Sequence, residues 1–259
     1  MDTKTAIESA DAEALQHLLA EDPSRADALI AWGDRSEIRT HPLHYICDIL
    51  FHRKLEKGKE LPLVHALINA GADLNFQRDG KGDTPLIGAA SLGADDVGIA
   101  LIDAGANPAL LGIFSETALH WSALLGEERL AASQIAASAS NLGLLNLPDR
   151  EYKSPPLGWA IHGRQNPPKG NQGKQSEVAA MLVEAGAAID PGWLQSEGVR
   201  SDPSMLAALT SQQASQRIGP ELCSRSNRAR VAFIKQGRAF SGSAEYKPRC
   251  FAGTRQTPP

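Results

Sequence analysis

The chain has 259 residues, 42% of them hydrophobic and 22% charged, with a formal net charge of −4, which is the composition of an ordinary water-soluble globular protein. No run approaches the ~18 uninterrupted apolar residues of a membrane helix, and Met1–Ala6 has neither the basic start nor the apolar run of a signal peptide. Three scattered cysteines (Cys47, Cys223 and Cys250) form no Cys-x-x-Cys pair and no disulfide framework, so a reducing, cytoplasmic setting without a membrane partner is expected.

In chain order, Thr5–Ala20 places Ala12, Leu15, Leu18 and Leu19 on one helical stripe, which predicts a capping unit over residues 1–39. Four related segments follow. They are His41-Pro42-Leu43-His44-Tyr45-Ile46-Cys47, Thr84-Pro85-Leu86-Ile87-Gly88-Ala89-Ala90, Thr117-Ala118-Leu119-His120-Trp121-Ser122-Ala123 and Pro155-Pro156-Leu157-Gly158-Trp159-Ala160-Ile161. Second apolar runs follow them, ending in Ala70-Gly71-Ala72-Asp73, Ala104-Gly105-Ala106-Asn107 and Ala185-Gly186-Ala187-Ala188, with Ser140-Asn141-Leu142-Gly143 as a degenerate fourth ending.

Each segment starts like a helix. Thr84 can cap an N-terminus with Pro85 at the first helical position, where a missing N–H costs nothing. Leu86, Ala89 and Ala90 share a face, and Gly93 ends the helix. Asp95 and Asp96 open the next helix at its positive end, Val97, Ala100, Leu101 and Ala104 give it an apolar stripe, and Gly105 suits a left-handed terminus. Leu86 to Leu119 spans 33 residues, whereas Leu43 to Leu86 spans 43 and Leu119 to Leu157 spans 38. The longer spacings predict inserts at 52–60 and 164–175, both between the two helices of their unit and both rich in lysine and arginine.

These segments and their 33-residue period resemble the ankyrin-repeat family, whose signature is Thr-Pro-Leu-His-x-Ala followed by a second helix and Gly-Ala-Asp. The resemblance covers roughly Thr40 to Asp190. It implies an all-α ankyrin-repeat solenoid of about five helix–turn–helix units joined by short β-like finger turns, with repeats over 40–198 and a capping helix over 199–212. Ordering one such unit costs more than its few buried side chains return, so a unit is stable only when stacked on neighbours.

The resemblance also implies a monomeric protein-interaction scaffold that binds a protein partner through concave helix faces and fingers. A dedicated regulator, inhibitor or chaperone of a single enzyme is the alternative. Tyr45, Trp121 and Trp159 occupy one motif position, with Gly88 in that place in the second unit, so the rings would form a row along the first helices. Such a row either contacts a partner or fills the space between repeats. The finger Leu110-Leu111-Gly112-Ile113-Phe114 is apolar where turns are ordinarily polar, which marks Leu110, Leu111, Ile113 and Phe114 as further candidate contacts.

Chemistry is harder to find. His41, His44 and His52 lie near Cys47, yet the family places a histidine at the motif's fourth position, where His44 and His120 stand, to bond neighbouring turns. No metal or cofactor is expected. Gly80-Lys81-Gly82-Asp83-Thr84 lacks the spacing of a phosphate-binding loop, and no nucleophile–base constellation is legible, so no catalytic residue is assigned. From Ser215 onward nine Lys/Arg face two Glu, a net +7, while the rest of the chain has 17 bases and 28 acids, a net −11. Residues 213–259 are therefore expected to be a basic, disordered tail; nucleic-acid binding through it is the weakest of the three functional readings.

Overall fold

The computed structural model of the chain describes residues 1–32, 35–168 and 173–216. Its first unit consists of α1 (Thr3–Glu8) and α2 (Ala12–Glu21), capped by the Asp2 and Asp11 side chains on the N–H groups of Thr5 and Ala14. A two-stranded antiparallel hairpin follows, β1 (Ile30–Trp32) with β2 (Arg35–Thr40), pairing Ile30 with Thr40 and Ala31 with Arg39. Four helix pairs come next: α3 (Pro42–Phe51) with α4 (Glu60–Asn69), α5 (Pro85–Ser91) with α6 (Asp95–Asp103), α7 (Ala118–Leu125) with α8 (Glu128–Ala137), and α9 (Pro156–Gln165) with α10 (Gln175–Glu184). The short helices α11 (Pro191–Gln195) and α12 (Glu197–Arg200) lead into α13 (Pro203–Gln216), which packs on α10 and closes the stack.

Successive pairs stack in two layers. α1, α3, α5, α7 and α9 pack in series, and so do α2, α4, α6, α8, α10 and α13. The architecture is the all-α ankyrin-repeat solenoid that the motifs imply.

Motif chemistry explains the local geometry. Thr84 Oγ1 accepts the Ile87 N–H at 3.2 Å with Pro85 beside it. Leu86, Ala89, Ala90, Val97 and Leu101 are buried, and Gly105 holds a φ of +98°, a conformation open to glycine at little cost. Of the stripe expected on α6, Ala100 is only half-buried and Ala104 is exposed.

The core has two clusters. One runs from Ala6 to Leu130, the other from Leu119 to Leu209, and the half-buried Trp121 packs against both. Residues 52–59 lie between α3 and α4, and residues 166–168 and 173–174 between α9 and α10; Glu60, Arg164, Gln165 and Gln175 belong to the helices, and residues 169–172 are outside the described residues.

Two features differ from the expectation. The capping unit carries a β-hairpin that the helical stripe of its first half gave no reason to expect. The closing helix continues to Gln216, so the boundary placed at 212 falls inside α13. The remainder of the basic tail, including Cys223 and Cys250, lies outside the described residues.

Candidate functional site

The fingers between helix pairs are tied together by the motif histidines. His44 Nε2 donates to the Asp83 carbonyl of the next finger at 3.1 Å. Two units further on, His120 Nε2 donates to the Leu147 carbonyl at 3.1 Å, while its Nδ1 accepts the Thr117 N–H at 3.0 Å. Burial lowers both imidazoles to about 4, so each is neutral at physiological pH. His41 Nε2 lies 2.8 Å from Asp27 Oδ1, and the ring stacks on Phe76 at 4.6 Å between centroids.

Each aromatic residue of the row meets an acid. The Tyr45 hydroxyl donates to Glu8, Trp121 Nε1 to Glu116 Oε1 at 3.2 Å, and Trp159 Nε1 to Asp149 Oδ2 at 3.0 Å. Tyr45 is 1% exposed and Trp159 is 6% exposed, so both rings fill space inside the stack; Trp121 is half-buried. The row is also interrupted. Tyr45 packs edge-on against Trp32 at 5.4 Å, whereas Trp121, Trp159 and Tyr152 form a separate group with centroid spacings of 5.2 and 5.9 Å. Gly88 stands in the gap because a Cβ there would lie 2.9 Å from Cδ2 of His44.

The same acids hold the fingers. Glu116 Oε2 accepts the Phe114 N–H at 2.8 Å and Asp83 Oδ1 accepts the Ile113 N–H at 3.3 Å, both beneath the apolar finger. Burial raises both carboxyls, and the charge of Asp83 adds to the shift at Glu116. Asp149 accepts the N–H groups of Tyr152 at 2.6 Å and Ser154 at 3.1 Å. Burial opposes its ionisation, but these bonds and that from Trp159 outweigh it and hold the carboxyl below the usual range.

The finger Leu110–Phe114 is thus gripped from both sides. Gln77 Nε2 donates to the Leu111 carbonyl at 2.8 Å, Arg150 Nη2 to the Ile113 carbonyl at 2.8 Å, and the Arg150 N–H to the Phe114 carbonyl at 2.6 Å. With its backbone engaged, the finger offers side chains. Leu110 and Phe114 are half-buried, Leu111 is 39% exposed, Ile113 is 52% exposed, and Tyr152 on the adjoining finger is 72% exposed. Tyr152 carried no signal in the repeat pattern, because it sits in the irregular stretch before Pro155. The acids that grip the fingers did leave one: Asp83 and Glu116 each stand immediately before the capping threonine.

The opposite edge carries the inserts and a cleft of about 440 Å³ lined by Lys57, Glu60, Asp95, Asp96, Glu127 and Lys174 among others. Two of the bases there have partners: Lys174 Nζ lies 2.5 Å from Glu128 and Arg129 Nη1 lies 2.7 Å from Asp96. Burial raises Asp95 to about 6, and burial together with the neighbouring Asp95 raises Glu127 well above its usual range. This cleft is not the net-basic surface that the insert sequences alone would produce.

No protein-family model matches the chain, and no curated protein sequence matches it. Its structure is similar to the crystal structure of an ankyrin repeat domain from Acinetobacter baumannii, with a TM-score of 0.57 and 22% sequence identity, over 80% of this chain and 95% of that one. No described helix is long and apolar enough to cross a membrane. The stacked pairs, the histidine-tied fingers and this likeness agree: the chain has the ankyrin-repeat fold.

Proposed function

We propose that the chain is a protein-interaction module whose partner docks on the finger edge of the third and fourth helix pairs. Leu111, Ile113 and Tyr152 are the anchors, with the exposed part of Trp121 beside them. The observation that carries this reading is the pairing of large exposed apolar side chains with a backbone already committed on both flanks. A rigid, preformed apolar surface loses little conformational entropy on binding, and exposed apolar patches on stable proteins mark contact sites.

In this reading Trp159 supports the surface from beneath, Tyr45 fills the interior of the first pair away from it, and Leu110 and Phe114 form the half-buried base of the finger. The module acts as a monomer in the cytoplasm, and its role is binding, with no part in bond chemistry. The test is quantitative affinity purification from the native host, comparing the full chain with the Leu111→Ser/Ile113→Ser variant. A protein recovered with the parent chain and lost from the variant supports the reading. Equal recovery with both would remove the finger as the docking site. One stoichiometric partner, as opposed to several weak ones, would point to a dedicated regulator.

A further inference from the structure

The charges around the apolar finger are sorted by sign. Its nearest acids face inward: Glu116 and Asp149 are buried and Asp83 is half-buried, all three engaged with finger N–H groups. The bases face outward. Arg78, Lys81, Arg150 and Lys153 are all exposed on the two fingers that flank it, against the exposed acids Asp73, Asp79 and Glu151. Among the described residues none of these four bases is ion-paired. Leu111, Ile113 and Tyr152 therefore sit within a basic rim, on a chain whose first 214 residues carry a net −11.

We infer that the partner segment is acidic: a polypeptide stretch with one or two large apolar anchors flanked by Asp or Glu. This rests on the finger edge being the docking site and adds the chemistry of what docks there. The remaining negative charge of the chain does not forbid it. At physiological salt the Debye length is about 8 Å, so a segment seated on the fingers responds mainly to the charges of the rim. Complementary charge around an apolar centre chiefly sets encounter rate and partner choice.

A displayed library of random short peptides, selected on the immobilised full chain and counter-selected on Leu111→Ser/Ile113→Ser, reads this directly. The expected result is a recovered set enriched in Asp and Glu around aromatic or aliphatic anchors. Its affinity should fall roughly tenfold with Lys81→Glu/Lys153→Glu and weaken as salt rises. Among the described residues the Lys81 and Lys153 side chains make no hydrogen bond to a finger, so their reversal leaves the scaffold intact, as an unchanged circular dichroism melt would confirm. Finger-dependent peptides of neutral or basic composition would overturn the acidic preference and leave the docking site standing. Absence of any finger-dependent peptide would overturn both.

Discussion

On the finger edge, the carboxylates of Asp83, Glu116 and Asp149 are filled by backbone and indole N–H donors. On the insert edge, the buried carboxyl of Glu127 has chiefly Asp95 for company, and its Oε2 has no hydrogen-bond partner. The two edges are built from the same repeats, yet one spends its acids on fixing loops and the other holds Asp95 and Glu127 above their usual range beside a polar cleft. What separates them is the supply of donors. Finger turns expose successive N–H groups within reach of a side chain, whereas burial raises Asp95 and Glu127 and each carboxyl's neighbourhood includes the other. The finger edge is therefore tied by hydrogen bonds from both flanks, while the insert edge is where charge is least settled.

Acid should break the finger edge first. His44 and His120 have folded-state values of about 4 against 6.5 when free. Their contribution is fully present above pH 6.5 and is lost as pH falls toward 4. At 1.36 kcal/mol per unit this amounts to about 3 kcal/mol for each ring. Denaturant melts from pH 7 down to 4 should show the loss, and His120→Gln should remove about half of the slope. Trp159→Ala comes next. It empties a buried site that joins His120, Trp121 and Tyr152, and should cost about 3–5 kcal/mol by thermal or urea unfolding, against a smaller loss for the half-buried Trp121→Ala.

Gly88→Ala sets a Cβ against the His44 ring and should destabilise by roughly 1–3 kcal/mol. The insert edge should respond with the opposite sign. Burial raises Asp95 to about 6 and holds Glu127 well above its free value, so the unfavourable contribution of each is absent in acid and appears as pH rises. Glu127→Gln should therefore stabilise the protein by about 1–2 kcal/mol at pH 7 and show no gain near pH 4. Leu111→Ser/Ile113→Ser should be nearly silent, within about 0.5 kcal/mol, because both side chains are already in water. A large loss there would mean that the finger is structural.

The regular elements were legible because each motif residue has one physical job. The Thr84–Pro85 cap, the Leu86 face and the Gly105 terminus together specify a helix pair, and the 33-residue period specifies its stacking. The candidate site was half legible. Leu111 and Ile113 stand out as apolar residues in a turn, and both are exposed. Motif register places Tyr45, Trp121 and Trp159 in line but does not say how deep each ring sits. Depth depends on neighbours such as Trp32 and on the acids that take the ring N–H or O–H, and these lie far off in sequence. Tyr152, the β-hairpin from Ile30 and the raised carboxyls of Asp95 and Glu127 have no periodic signature at all.

Site-specific photocrosslinking in the native host tests the central claim most directly. A photoreactive residue replaces Ile113, Tyr152 or Lys57 in the full chain. The finger account predicts one discrete protein adduct formed from positions 113 and 152 and none from position 57 on the insert edge. Adducts formed from position 57 alone, or equally from all three positions, would contradict it.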